Sequence, residues 1–336
     1  MALRRPRGGF PRRSRLLRAL SSLPADRLPL VHTDNYSLVR LPERHRFPMA
    51  NFAETFRQLQ SRPMCLCFHH VTPPYVGSAL SKLVHLPDFV DSFVHGTIEH
   101  KRWRPVGLPW SHLLVQRTLW EVSGSVLAAE LALLSPLKCS LSTAGGAHHA
   151  KHASGGGFCI QSDHVIAIAS LIERGLIHNA LIFDADVHQG DGTASVVNAN
   201  RESYPGIYTC SVHCQDNFPI KVESSDLDWP LPSGTGDTDF LKACASALKH
   251  AVAQSQPLNL IVYISGVDPF HEDPLGKLSV SRDALWQRDL LVFDYARALD
   301  IPICGLVGGG YAHKGIEELS QRHCLMHEAA AKVFCT

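Results

Sequence analysis

The sequence predicts an α/β fold: a single domain with a central, mostly parallel β-sheet flanked by helices on both faces. Two observations carry this. From residue 138 onward, short apolar runs of strand length alternate with longer runs whose apolar residues recur at helical spacing. Several of the short runs, such as Ala180-Leu181-Ile182-Phe183, are apolar at every position, as a strand covered on both faces must be. With 45% hydrophobic and 19% charged residues in a chain of 336, the composition is that of a globular protein and excludes general disorder.

Residues 1–25 form a basic N-terminal extension. They carry Arg4, Arg5, Arg7, Arg12, Arg13, Arg15 and Arg18 and no acid. An organelle transit peptide for a mitochondrion or plastid has this character. A disordered basic tail, a nucleic-acid-binding arm or a nuclear signal shares it, so nucleus and cytoplasm stay open as locations. Without those seven arginines the chain has 25 basic and 31 acidic residues, a balance of −6. A broad basic face for reading nucleic acid is therefore not expected. No stretch approaches the ~20 apolar residues of a membrane helix. Ten cysteines, with no second pair at zinc-finger spacing, read as thiols rather than a disulfide framework.

Residues 26–336 are expected to form the catalytic domain. Residues 26–110 are rich in Pro and His, and their pattern is ambiguous beyond helices near 50–60 and 86–95. Apolar spacing predicts a helix over 113–134, ended by Pro136. A short run at 138–143 leads into Gly145-Gly146-Ala147-His148-His149. A helix over 163–174 follows, with Asp163 as N-cap and Gly175 as its stop. The strand at 180–183 empties into Asp184-Ala185-Asp186-Val187-His188-Gln189-Gly190-Asp191-Gly192. A strand at 207–212 and a helix near 238–254 come next. The strand at 258–264 empties into Ser265-Gly266-Val267-Asp268, and that at 301–307 into Gly308-Gly309-Gly310-Tyr311, with helices over 281–299 and 313–333.

Four polar clusters thus lie just past four predicted strands, where open α/β sheets place their binding crevice. Along a strand, side chains alternate between faces, so Asp184, Asp186 and His188 are expected to point the same way. One carboxylate and one imidazole from this segment, with Asp268 from another strand, make three ligands that balance a divalent cation and leave a position open for water and substrate. Zn2+ is the default and Fe2+ fits the same donor set. His148 and His149 offer proton transfer near neutral pH, with Asp184 and Asp191 as spare carboxylates to orient them. Tyr311 can donate a hydrogen bond to an oxygen that becomes negative in a transition state. The Gly-Gly-Gly run lacks the Lys-Ser/Thr of a phosphate loop, and no nucleophile-elbow motif supports a serine hydrolase.

These residues resemble the zinc-dependent histone deacetylase superfamily, most closely its class IV and bacterial-type members. The matching stretches are 145–149, GGGFC at 155–159, DADVHQGDG at 184–192, GVDPFHEDPLG at 266–276 and GGGY at 308–311, and the resemblance covers about 30–330. It implies the arginase/deacetylase fold, with Asp186, His188 and Asp268 as metal ligands. It further implies that His148 pairs with Asp184 and His149 with Asp191, His149 being the candidate general base and acid, and that Tyr311 polarises the scissile carbonyl. Gly157, Phe158 and Phe218 would line an acyl-lysine tunnel. A structural K+ would lie near Asp184, Asp186, His188, Ser211 and Val212, partly on main-chain oxygens. The implied activity is removal of acetyl or longer acyl groups from lysine side chains of histones or other proteins. Acetylpolyamine deacetylation and a catalytically idle acyl-lysine-binding corepressor are the alternatives, and corepressor partners would fit a chromatin role.

Two departures bear on this. The loop over 105–112 lacks the acidic residue that many members use to grip a peptide backbone, and Gln189 stands where the nuclear enzymes commonly have a second histidine. A binuclear ureohydrolase of the same fold would need a second carboxylate just after Asp268, where Pro269 and Phe270 stand.

Overall fold

The structure is a computed structural model that describes residues 23–335. The expectations for residues 1–25, the extension and its targeting role, fall almost wholly outside the described residues.

Eight strands form one sheet: β1 (Leu28–Val31), β2 (Phe68–Val71), β3 (Cys139–Ser142), β4 (Ala180–Asp184), β5 (Ile207–Cys214), β6 (Leu227–Leu231), β7 (Leu260–Ser265) and β8 (Ile303–Val307). Their order is β2-β1-β3-β8-β7-β4-β5-β6, and every neighbouring pair is parallel. All strand ends of one polarity therefore share one edge of the sheet.

Nine α-helices cover it among the described residues: α1 (Asn51–Ser61), α2 (Pro87–His95), α3 (His100–Trp103), α4 (His112–Leu134), α5 (Asp163–Glu173), α6 (Asp191–Ala199), α7 (Asp237–Gln254), α8 (Arg282–Ala298) and α9 (Ile316–Phe334). The alternation of side chains on the central strands divides the core in two. Leu181, Phe183, Ile261 and Tyr263 pack with α7, α8 and α9 on one face. Ala180, Ile182, Leu260, Val262 and Ile264 pack with α4 and α5 on the other. This is the period-two pattern of a sheet buried on both sides, and it explains why β4 and β7 read as unbroken apolar runs.

The predicted α/β fold matches this architecture. The helices near 50–60, 86–95, 113–134 and 238–254 lie within a residue or two of α1, α2, α4 and α7. Three strands escaped prediction: β1, β2 and β6. β1 contains Pro29, β6 contains Pro230, and β2 reads Phe-His-His-Val. Pro29 is tolerated because its ladder partner is His69 on one side only; pairing with β3 begins at Leu30. Pro230 sits on an edge strand that pairs only with β5.

Two local expectations are corrected. β4 ends at Asp184, so Asp186 and His188 lie in the following loop, and strand alternation does not set their direction. Asp163 is the first residue of α5 and not its N-cap; Ser162 precedes the helix and makes no side-chain cap. The Asp163 carboxylate turns instead to the loop after β3, as described below. All ten cysteines are unpaired. No helix among the described residues is long and apolar enough to cross a membrane.

Candidate metal centre and tunnel

The four segments that carry His148-His149, Asp184–Asp191, Asp268 and Tyr311 leave β3, β4, β7 and β8, which are contiguous in the sheet as β3-β8-β7-β4. Parallel pairing brings them to one edge, and the site is the result.

Its floor is a group of three buried side chains. Ligand atoms of Asp186, His188 and Asp268 lie within 4.8 Å of one another. His188 Nδ1 is 3.1 Å from both Asp186 Oδ1 and Asp268 Oδ2. Backbone donors fix the carboxylates: Gly309 N–H donates to Asp186 Oδ2 at 2.6 Å, and Val187 N–H to Asp268 Oδ1 at 2.9 Å. Asp268 Oδ2 is buried with no hydrogen-bond partner among the described residues. A Cβ at Gly309 would stand 2.4 Å from that oxygen and 2.7 Å from Asp186 Oδ2. An orphaned carboxylate oxygen beside an imidazole nitrogen, under a roof that admits no side chain, fits a divalent cation and three protein ligands.

The electrostatics agree. Burial pushes the Asp268 carboxyl up to about 7, with Asp186 beside it adding to the rise. Burial by itself lowers the His188 pKa, but the two carboxylates outweigh it and hold the group well above its usual value. The three groups crowd protons and charge that a cation would replace.

The tandem histidines stand beside this floor. His148 Nδ1 is 2.7 Å from Asp184 Oδ2, and His149 Nδ1 is 2.7 Å from Asp191 Oδ1. The two rings are 4.1 Å apart between centroids. Their environments differ. Burial lowers His148, yet Asp184 and Asp186 lift it to about 9. Burial and the charge of His148 push His149 down to about 4. The pair is thus split into a cationic and a neutral imidazole near neutral pH. Lys151 Nζ holds the second oxygen of Asp191 at 3.0 Å and Glu223 at 3.1 Å. A Cβ at Gly192 would come within 2.4 Å of the His149 and Ala150 backbone, so α6 packs against the histidine loop only with glycine there.

Above the floor lies a cavity of about 330 Å³ lined by His149, Gly157, Phe158, His188, Phe218 and Tyr311 and reaching outward to Arg46, Arg104 and Leu275. Phe218 stands edge-on to His149 at 4.8 Å, and Phe158 is 6.0 Å from the Tyr311 ring. Phe158 has φ 67° and Gly157 φ 51°. A Cβ at Gly157 would meet the His149 ring at 2.6 Å, which explains glycine at that turn. Phe158 is strained, and strain of this kind collects at ligand sites. Tyr311 is buried. Burial and the nearby Asp268 and Asp186 raise its pKa well above the usual value, so the phenol keeps its proton and remains a donor. Ser211 and Val212 lie on β5, and Ser211 is the register partner of Asp184; Ser211 Oγ is 3.0 Å from His213 Nδ1.

Several residues that hold the site were given no such role from the sequence. Asp163 accepts from Gly146 N–H at 3.0 Å, Ala147 N–H at 2.8 Å and Ser125 Oγ at 2.5 Å, and so shapes the turn that presents the histidines. Buried Arg288 donates to the carbonyls of Ala185 and Gly266, tying the loop after β4 to the loop after β7. Buried Arg322 donates to the carbonyls of Val267 and Tyr311, and Asp273 accepts from Tyr311 N–H at 2.7 Å. Asp273 falls inside the motif at 266–276, which was the available signal. The two arginines sit on ordinary amphipathic helices and carried none.

Comparison with known proteins converges on one family. Residues 42–326 match the histone deacetylase domain. An uncharacterized protein of Picosynechococcus sp. is 41% identical over 306 residues, covering 91% of this chain and 99% of that protein. Histone deacetylase 2 of Arabidopsis thaliana is 28% identical over 317 residues, covering 89% of this chain and 79% of its own. Among solved structures, an acetylpolyamine aminohydrolase from Burkholderia pseudomallei superposes with a TM-score of 0.72 at 17% identity, covering 91% of this chain and 99% of that one. At that identity the likeness concerns the fold.

Proposed function

This chain belongs to the histone deacetylase family, and from that premise we propose that it is a zinc-dependent deacylase that hydrolyses the amide of an acyl-lysine side chain. The observation that carries this reading is the buried, orphaned Asp268 Oδ2 within one ligand set with Asp186 and His188, at the bottom of a narrow apolar tunnel. Asp186, His188 and Asp268 would hold the ion. When bound, it supplies Lewis acidity, polarising the amide carbonyl and lowering the pKa of water toward ~7.

The chain's own residues do the rest. Phe158 and Phe218 flank an extended aliphatic chain and exclude water from it. His149, neutral and oriented through Asp191, takes a proton from the attacking water at its free Nε2. Tyr311 donates its hydroxyl proton in a hydrogen bond to the oxygen that becomes negative. His148, kept cationic by Asp184, stabilises that negative charge, and the histidine pair returns a proton to the departing amine. Asp184, Asp186, His188, Ser211 and Val212, partly through main-chain oxygens, are the proposed K+ environment.

The test is release of acetate from a fluorogenic acetyl-lysine peptide by the zinc-loaded protein. We expect turnover that an alkyl hydroxamate blocks and that the double variant His149→Ala/Tyr311→Phe loses. Full activity in that variant would contradict the assigned roles.

A further inference from the structure

The mouth of the tunnel carries a charge pattern that the catalytic reading does not use. Arg46, from the loop before α1, and Arg104, from the turn after α3, both line the cavity. Both side chains are exposed, and neither makes an ion pair or side-chain hydrogen bond among the described residues. No acidic residue lines the cavity with them. The carboxylates of the site all lie beneath: Asp184 and Asp191 are paired with His148 and His149, and Asp186 and Asp268 stand beside His188.

The two cations are not on loose ends. His45 Nε2 donates to the Gly107 carbonyl at 2.9 Å while its Nδ1 accepts from Phe47 N–H at 3.0 Å, so the loop of Arg46 is pinned to the turn of Arg104. That turn is pinned to the tunnel wall: Gly157 N–H donates to Pro105 O at 3.1 Å and Phe158 N–H to Val106 O at 2.9 Å. Phe47 packs against Phe158, with ring centroids 5.4 Å apart. Phe218 and Leu275 also line the cavity, with Asn217 donating its Nδ2–H to the Leu275 carbonyl at 2.9 Å. A chain lying in the tunnel thus passes an apolar wall and emerges beside two guanidinium groups with unused donors, which match a carboxylate in charge and geometry.

Taking the proposed deacylase chemistry as its basis, we propose that the preferred substrate is an acyl amide whose aliphatic chain carries a carboxylate at its outer end, and that Arg46 and Arg104 are specificity-determining residues that select it. The carboxylate of an ω-acylamino acid and an acidic side chain beside an acyl-lysine in a protein supply the same chemistry. A polyamine chain, or a lysine-rich segment, brings a cation to the same spot and is disfavoured there.

The test compares three amides of one chain length on the zinc-loaded enzyme: 6-acetamidohexanoate, 6-acetamidohexanamide and N-acetylcadaverine. We expect kcat/KM for the carboxylate to exceed that for the ammonium by about tenfold at low salt, the gap narrowing as salt is added. Arg46→Glu/Arg104→Glu should reverse the ratio. Acetyl-lysine peptides flanked by Glu or by Lys, run beside 6-acetamidohexanoate, distinguish an acidic protein segment from a free acid. Thermal stabilisation by two hydroxamates of equal length, ending in carboxylate or ammonium, reads the same preference without turnover. A ratio of one, a preference for the ammonium, or a preference that the double variant leaves in place would overturn the assignment. Hydrolysis of the neutral amide without charge discrimination would spare the deacylase reading and sink this one. Charge-selective hydroxamate binding without hydrolysis of any amide would do the reverse.

Discussion

His149 Nδ1 lies 2.7 Å from Asp191 Oδ1, and the same carboxylate is held from its other side by Lys151. Asp191 therefore faces one imidazole and one ammonium, and it fixes the tautomer that leaves His149 Nε2 free to accept a proton. Asp191→Asn keeps the shape and removes the charge. We expect kcat to fall by about 10²–10⁴-fold with KM changed much less, as measured by steady-state kinetics on an acetyl-lysine peptide. A fall in kcat/KM carried by KM alone would assign Asp191 to substrate binding instead.

In the proposed mechanism Tyr311 offers its phenol to the reacting oxygen only after bond formation places charge there. Tyr311→Phe should lower kcat by about 10²–10³-fold, with metal affinity and hydroxamate binding little affected. Calorimetric zinc binding on the variant checks that the floor of the site is intact. A variant with full kcat would remove Tyr311 from the mechanism.

Asp163 ties three buried donors together at the turn before the histidines. Asp163→Ala leaves Gly146 N–H and Ala147 N–H buried without that acceptor, each at a cost of about 1–3 kcal/mol. The expected result is a Tm lower by roughly 5–10 °C together with reduced kcat. Differential scanning calorimetry reads the first and kinetics the second. Unchanged stability would mean that water or another group replaces the carboxylate.

His85 gives the fold a dependence on pH that is separate from catalysis. Its Nδ1–H donates to Lys151 O at 3.0 Å, and its Nε2 accepts from Ser162 N–H at 2.8 Å. Only the neutral ring does both, and burial pushes the group down to about 4 from 6.5. Stability is then fully present above the unfolded pKa and is lost as pH falls from about 6.5 toward 4, by about 3 kcal/mol at the acid limit. Urea midpoints at pH 7.5 and 5 should show a smaller drop for His85→Gln than for the wild type. The dependence should shrink without vanishing, because burial also holds His32 and His327 near 4.

The C-terminal two thirds of the chain was legible because its strands are buried on both faces and its chemistry stands at their ends. β4 and β7 announce themselves as unbroken apolar runs, and Asp184, Asp268 and Tyr311 follow the ends of β4, β7 and β8. The helices near 50–60 and 86–95 were legible too, but the strands of the N-terminal third and the edge strand β6 were not, because β2 is an edge strand with two histidines and β1 and β6 each carry a proline. Asp163 was misread because the sequence shows an acid at a helix start but not the Gly146 and Ala147 amides that fold back onto it. Arg46 and Arg104 carry no local signature at all. Their meaning comes from the His45–Gly107 hydrogen bond, which joins loops more than sixty residues apart.

The most direct test of the central claim is activity as a function of bound metal. Chelator-treated protein is titrated with Zn2+ while acetyl-lysine hydrolysis is followed. Activity should be absent without metal, rise in proportion to added ion and level off at one equivalent per chain. Asp268→Ala should give no such rise at these concentrations. Full turnover by the metal-free wild type, or a plateau that needs two equivalents, would contradict a single ion held by Asp186, His188 and Asp268.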